Sequence, residues 1–337
     1  MGSHRRLAPS GFDRGAAAAL CVMSAAAAAL GAAPADAAPH GGTRAEVDRL
    51  YQQAEKATEA YDKAGERAHT LRRQINDAQD RIARQQQRVN TMREQLGSVA
   101  GAQYRSGGID PTVALLFSDD PADYLDKAST LDRIGAQQAG QLKELRSALR
   151  DLSQERAEAA GKLAELEKSR KDVSTHKRAV EKKLARARQL INSMPAAERA
   201  AYERTSRAGT RDLPDLAGVV APDARAAAAV AAARSALGRP YVWGANGPSG
   251  FDCSGLMQWS YAHAGIHLPR TSQEQRHAGR RVPLSQAQPG DLVVYRSDAS
   301  HVGMYVGHGQ VIHAPYPGAA VRYDPVGMMP ISSVTRP

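Results

Sequence analysis

Cysteine is nearly missing from this chain of 337 residues, which has two, Cys21 and Cys253. Cys21 lies in an apolar run, Ala16 to Leu30, too short to span a bilayer comfortably. Arg5, Arg6 and Arg14 precede that run, and Ala35-Asp36-Ala37 follows it with the small-x-small pattern of a signal-peptidase cut. Residues 1–37 therefore read as a secretion signal. No convincing lipidation box precedes Cys21, and the residues around Arg5-Arg6 fit a twin-arginine signal poorly. The mature chain is then left with one thiol. That count excludes a disulfide framework, and an unpaired thiol in an exported protein is either inert and buried or kept for its reactivity.

Aromatic residues are also scarce, at 5% of the chain with 3 Phe and 2 Trp. Alanine dominates the first two thirds, a composition that suits helices packed through small residues better than one large core. There is no Cys-x-x-Cys pair. A zinc site would have to be assembled from Cys253, His301 and His313 alone, so neither metal nor another cofactor is expected. The formal charge of +10 admits an anionic partner such as nucleic acid, an anionic membrane or an acidic wall polymer. Arginine-rich helices give the same balance without any partner. Export, and the lack of aromatic platforms among the arginines, exclude nucleic acid.

What the chain has instead is a long seam. From Val47 the apolar or small positions run Leu50, Ala54, Ala57, Tyr61, Ala64, Ala68, Leu71, Ile75, Ala78, Ile82, Val89, Met92, Leu96 and Val99 in steps of three and four, with Gln85 the only polar intrusion. Held over about seven heptads, this predicts a left-handed coiled coil, roughly 80 Å long at the α-helical rise. A second run passes through Leu142, Leu145, Leu149, Leu152, Ala159, Leu163, Leu166, Val173, Val180, Leu184, Ala187, Ile191 and Met194, interrupted by Arg156, Arg170 and Lys177. Gly107-Gly108 and Pro111 break the first helix, and Pro121 opens a new one. Residues 43–194 are thus expected to form an antiparallel coiled-coil hairpin. A short tip helix near 109–121 would carry the cluster Val113 to Phe117, as a cap or as a docking surface. Pro195 ends the hairpin, and 195–221 reads as a flexible linker. Glycine, proline, aromatic and β-branched residues then concentrate in 222–337, as expected for a compact α+β domain.

In that domain Ala224 to Leu237 predicts a helix. Cys253 opens a second that runs to about His263, and Leu292 to Tyr295 follows a Pro-Gly turn as a strand. His301 to Val306 alternates with period two, which puts Val302, Met304 and Val306 towards the core and His301 on the other face. Gly307-His308-Gly309 makes a tight hairpin, with His308 a solvated turn residue, and Gln310 to Ala314 returns as the next strand. His301 and His313 then lie near one another across the pair. These are the parts of a cysteine peptidase: a thiol at a helix start, where the N-terminal dipole favours the thiolate, a histidine to move the proton, and a second to orient the first. The backbone N–H of Cys253 is a natural oxyanion donor.

Six blocks carry a resemblance: Tyr241-Val242-Trp243-Gly244, Gly250-Phe251-Asp252-Cys253-Ser254-Gly255-Leu256, Leu268-Pro269-Arg270-Thr271-Ser272, Pro289-Gly290-Asp291-Leu292, His301 to Gly307, and Val311-Ile312-His313-Ala314-Pro315. In this order they are similar to the NlpC/P60 family of cell-wall cysteine peptidases. The resemblance implies a papain-like α+β fold over 222–337 and hydrolysis of peptidoglycan stem peptides, typically between D-glutamate and the following diamino acid. It implies Cys253 as nucleophile, His301 as general base and His313 as the orienting residue. It further implies Tyr241 beside the nucleophile at the oxyanion site, and Asp252 and Ser254 as holders of the stem peptide, while Trp243 and Arg270 brace the site. The N-terminal half resembles the coiled coils of actinobacterial and streptococcal cell-separation hydrolases, through Tyr104-Arg105-Ser106-Gly107-Gly108 and Pro121 to Leu131. That likeness implies docking on a division-associated ABC-type membrane complex and a hairpin able to occlude the cleft. The expectation is a secreted, cell-wall endopeptidase, with a catalytically idle wall-binding adaptor as the alternative.

Overall fold

A helix of 65 residues persists in water only if one of its faces is covered along its whole length. The computed structural model describes residues 41–105, 121–208, 218 and 220–337, and in it Gly41–Arg105 (α1) packs antiparallel on Pro121–Ser193 (α2). Val47, Leu50 and Ala54 meet Val180, Leu184 and Ala187 at the base. Leu71 and Ile75 meet Leu166 midway, and Val89 meets Ala148 and Leu152 further out. At the α-helical rise α1 is about 100 Å long. The polar intrusion Gln85 is satisfied across the seam, where its amide donates to the Ala148 carbonyl at 3.2 Å. Leu142 and Leu163, read as seam positions, are instead 43% and 48% exposed. Ala148 and Ser169 are buried in the seam, because a three-four alternation has two phases and the leucines alone do not choose between them.

The signal segment, the tip near 109–121 with its apolar cluster as far as residue 120, and the stretch 209–217 lie outside the described residues. Part of the expected linker is ordered: Ala196–Ala208 forms a helix (α3). Tyr202 of α3 joins Tyr51 and Met194 in the cluster at the base of the hairpin, and Ser206 Oγ lies 3.0 Å from Tyr316 Oη. Pro195 breaks α2 without freeing the chain, because the next turn carries its own apolar contact. Gly41–Pro337 forms a single compact unit.

Ala224–Ser235 (α4) and Cys253–His263 (α5) lie against a six-stranded antiparallel sheet, with Ser272–Gln275 (α6) a single turn beside them. The strands are Arg280–Val282 (β1), Leu292–Tyr295 (β2), His301–Gly307 (β3), Gln310–His313 (β4), Arg322–Pro325 (β5) and Ile331–Arg336 (β6), in the order β1-β6-β2-β3-β4-β5. Val302, Met304 and Val306 of β3 join Leu256, Met257 and Tyr261 of α5 in the main core. The opposite face is covered as well, by Val282, Val293, Tyr295, Val311 and Val334, so β2 is buried on both sides. This domain is the expected α+β unit, with a long all-α hairpin before it.

Two backbone features set α5 in place. Asp252 caps it, accepting from the Gly255 N–H at 2.7 Å. A Cβ at Gly255 would stand 2.2 Å from the Ala245 carbonyl oxygen, so only glycine lets the loop cross the helix start. Gly255→Ala should therefore destabilise the domain by about 1–3 kcal/mol, the usual cost of overpacking. Thermal denaturation followed by circular dichroism measures it, and an unchanged midpoint would show that the loop yields freely.

Candidate active site

Cys253 is the first residue of α5, where a helix leaves its N–H groups without carbonyl partners of its own. His301 opens β3 and His313 closes β4, and the β3–β4 hairpin turns at Gly307-His308-Gly309, with His308 at φ 51°. His301 Nε2 and His313 Nδ1 are 2.8 Å apart with their rings nearly perpendicular, at 89°. The array does not stop there. His313 Nε2 lies 2.8 Å from Asp324 Oδ2 on β5, and the same oxygen accepts from Arg322 Nε at 2.8 Å. Cys253, His301 and His313 are all buried, the thiol 2% exposed.

What buries them is α1. Tyr51, Glu55, Thr58, Glu59 and Asp62 form a second stripe on that helix, beside its hairpin seam, and all five are buried. Glu59 sits on Cys253. Its Oε1 accepts from Ser254 Oγ at 2.8 Å and from Cys253 Sγ at 3.7 Å, and its Oε2 accepts from the Ser272 N–H at 2.7 Å. Glu55 Oε1 lies 3.2 Å from His301 Nδ1, the ring nitrogen that His313 does not use, and its other oxygen pairs with Arg296. Asp62 Oδ2 is 3.1 Å from Arg270 Nη2. Tyr51 stacks on Tyr316 at 5.2 Å, and Tyr61 meets Trp243 edge-on at 5.1 Å. Tyr61 also lies over Gly244, where a Cβ would come within 3.1 Å of its ring. Cys253 and His301 are covered by side chains of the same chain.

The electrostatics follow from that cover. Burial pushes the Cys253 thiol well above its ordinary range, and the charges of Glu59, Asp252 and Glu55 add to the shift, while the Val302 N–H opposes it. The helix start is thus outweighed, and in this state the thiol keeps its proton rather than standing as the expected thiolate. Burial, then the charge of Asp252, raises Glu59 to about 7 despite its hydrogen bonds. Asp62 is raised in the same way, by burial and by Asp252, with Arg270 opposing. Glu55 behaves differently. Burial would raise it, but His301 and Arg296 outweigh burial and hold it below the usual carboxylate range. His313 is lowered to about 4, by burial first, against the pull of Asp324, so it is neutral at physiological pH.

Of the residues read from the sequence, the structure brings Cys253, His301 and His313 into one site, with Tyr241 buried beside the thiol. Ser254 faces the cleft through its contact with Glu59. Asp252 does not. Its carboxylate holds the α5 cap and meets Arg270, at 3.0 and 2.5 Å. Arg270 pairs with Asp252 and also reaches α1 through Asp62. Among the described residues no cluster of histidine, cysteine, aspartate or glutamate is arranged to hold a metal ion. The sequence reading missed Asp324, Arg296, Ser272 and the stripe Glu55, Glu59 and Asp62. For the stripe a signal exists: three carboxylates at i, i+4 and i+7, Glu55, Glu59 and Asp62, in a stretch that also holds Tyr51 and Tyr61, on a helix otherwise rich in arginine.

The family model described as NlpC/P60 matches residues 238–334. A protein of Corynebacterium glutamicum strain R, named a probable endopeptidase, is 44% identical over 133 residues, 39% of this chain and 63% of that protein. The probable endopeptidase p60 of Listeria monocytogenes serovar 1/2a is 53% identical over 97 residues, 28% of this chain and 20% of its own length. Among solved structures, the P60 domain from the M. avium subspecies paratuberculosis antigen MAP1204 is 36% identical, with a TM-score of 0.32 and a match covering 33% of this chain and 93% of that one. The chain thus spans less than two thirds of the length of these two curated relatives.

The shifted carboxyls make the seating of α1 pH-dependent. A carboxyl whose seated pKa is raised gives a contribution complete below its ordinary value, 4.5 for Glu59, and lost as pH rises through about 7. Asp62 acts in the same direction, and Glu55 in the opposite one, below the usual carboxylate range. Seating is therefore firmest at mildly acidic pH. Alkylation of Cys253 by iodoacetamide in the full chain should accelerate between pH 5 and 8 by more than the thiolate fraction of a free cysteine accounts for. Glu59→Gln should flatten the excess, and an undiminished excess in that variant would rule Glu59 out as its source.

Proposed function

Because residues 238–334 form an NlpC/P60 domain and so place the chain in that family, we propose that the protein is an exported peptidoglycan hydrolase, a cysteine endopeptidase that α1 holds closed until it is withdrawn. The reading gives it stem peptides as substrate, and the bond between D-glutamate and the next diamino acid as the one cut. One observation carries it: the Cys253, His301 and His313 array is intact, and the carboxylates of α1 rest on its two reactive atoms, Sγ of Cys253 and Nδ1 of His301.

With the cleft open, His301 takes the thiol proton at Nδ1 and the thiolate attacks the glutamyl carbonyl carbon. The oxyanion of the tetrahedral adduct is met by the Cys253 N–H at the start of α5. His301 then delivers its proton to the leaving amine, and the acyl-thioester remains on Cys253. Water, deprotonated by the same nitrogen, hydrolyses the thioester and restores the thiol. None of this can start while Glu59 and Glu55 occupy the cleft. The hairpin then has two roles, to restrain the site at its base and, through its far end, to meet a membrane complex of the ABC type at the division site.

The test uses the mature full chain on purified peptidoglycan of several diamino-acid types, with products read by mass spectrometry. Reversing the plug charges, Glu55→Lys with Glu59→Lys and Asp62→Lys, should release glutamyl-ended fragments about a hundredfold faster than the unaltered chain. Losing even one partner of a buried charge pair costs about 3–5 kcal/mol, and each 1.4 kcal/mol is a factor of ten. Adding Cys253→Ala to the opened chain should abolish the products, and their persistence would end the endopeptidase reading. Equal rates from opened and unaltered chains would remove the restraint, while no cutting of any wall type would bring the adaptor reading forward.

A further inference from the structure

The histidine pair ends on a carboxylate that no catalytic motif in the sequence contains. Asp324 lies on β5, beside β4, in the register that pairs Val311 with Asp324 and His313 with Arg322. Its Oδ2 takes two contacts of 2.8 Å, from His313 Nε2 and from Arg322 Nε. The side chain of His313 is 1% exposed and that of Asp324 21%. Burial would raise this carboxyl, but the His313 hydrogen bond and the Arg322 guanidinium outweigh it and keep it ionised. Arg322 is itself anchored: its Nη1 donates to the Ser206 carbonyl at the end of α3 at 3.0 Å, and it stands over the Tyr316 ring.

Resting on the peptidase reading above, we propose that Asp324 is a positioning residue that fixes the tautomers of both histidines and so, once α1 has lifted Glu55 away, leaves His301 Nδ1 bare to take the thiol proton. An ionised carboxylate can only accept. His313 must therefore carry its hydrogen on Nε2, and as a neutral ring it then has a lone pair on Nδ1. That lone pair, 2.8 Å from His301 Nε2, obliges His301 to carry a hydrogen on Nε2. The remaining nitrogen of His301 is then the basic one. With α1 lifted, the order of donors and acceptors along Asp324, His313 and His301 is set from the Asp324 end; while α1 is seated, the ionised Glu55 also takes a hydrogen from His301 Nδ1, and that nitrogen becomes the free base only when Glu55 leaves.

Asp324 also supplies charge. When His301 becomes the imidazolium, its Nε2–H points at a ring polarised by the carboxylate behind it, in a buried site where such a chain of hydrogen bonds is strong. The charged and titratable groups that face this array are Arg322 on β5, Tyr295 on β2 and, while α1 is seated, Glu55. Arg322 works against the effect, so Asp324 contributes less than a lone carboxylate would. Removing Asp324 leaves the imidazolium less stabilised, so the acid limb of the activity profile, where neutral His301 gains a second proton, moves to lower pH.

The experiment has two arms on the full chain. The first records long-range proton–nitrogen correlations of the imidazoles in the unaltered protein and in Asp324→Asn. The unaltered protein should give His313 with hydrogen on Nε2, and the amide of the variant, able to donate, should shift that hydrogen towards Nδ1. Hydrogen on Nδ1 of His313 in the unaltered chain would overturn the proposal whether or not the variant folds. The second arm places Asp324→Asn and Asp324→Glu in the plug-reversed chain. The Asn variant should lose about ten- to a hundredfold in kcat with little change in KM, the worth of one charge-assisted hydrogen bond, and its acid limb should move to lower pH. The Glu variant should recover part of both, and an Asn profile that superimposes on the parent would overturn the proposal. If the parent chain cuts no peptidoglycan, the peptidase reading fails alone. Asp324 is then judged by the first arm and by iodoacetamide alkylation at pH 7, which should slow in the Asn variant and whose unchanged rate would count against it.

Discussion

Three carboxylates leave water on one face of α1, and a carboxylate out of water must find donors or keep its proton. Glu55 finds a cation, Arg296, and stays charged. Glu59 finds two strong donors but no cation of its own, and with Asp252 close by it holds its proton to about 7. Asp62 shares Arg270 with Asp252. These solutions depend on the rotation of α1 about its axis, because a slip of one residue turns a helix by roughly 100° and would take all three out of register. The hairpin seam fixes that rotation. Val47, Leu50 and Ala54 grip α2, while Tyr51, Glu55, Thr58, Glu59 and Asp62 turn to the cleft. One helix therefore serves two interfaces, and the coiled coil is a condition for the seating of its own base.

The seating is tied to the catalytic array by a second route. Tyr51 of α1 and Tyr202 of α3 converge near Tyr316, which follows β4. Arg322 spans from the Ser206 carbonyl to Asp324, and Asp324 meets His313. A positive side chain at the end of a helix is favoured by the helix dipole, so α3 and Asp324 share one guanidinium. The segment that follows the hairpin is in this way part of the setting of the histidine pair.

Much of this was legible in the residues, and the part that was not has physical reasons. The thiol, both histidines and the strands that carry them announce themselves because their backbone contexts are local: a glycine that lets a loop cross a helix start, a period of two, a turn of Gly307-His308-Gly309. β1, β5 and β6 are too short or too polar to alternate visibly, and β5 ends in Pro325, so Asp324 had no frame in which to be noticed. Glu55, Glu59 and Asp62 look like any solvated helix face, since periodicity records that a face is polar and not what lies opposite it. The same limit put Leu142 and Leu163 in the seam, where the phase is set by small residues such as Ala148 that hydrophobicity ranks low. The linker reading failed at Ala196–Ala208 because Pro195 ends one helix without forbidding the next.

The cover over Cys253 also bears on how long the protein lasts. Oxidation of a cysteine to sulfenic acid and beyond needs access and thiolate character together. The seated helix removes both, leaving the thiol 2% exposed and pushing its pKa well up. No second cysteine among the described residues stands ready to trap a sulfenic acid as a disulfide, so among them an oxidised Cys253 has no partner to rescue it. Seated, the chain is a reduced store of its nucleophile. If α1 is withdrawn as proposed, that protection ends, and the thiol begins to age chemically at the moment the chain is opened.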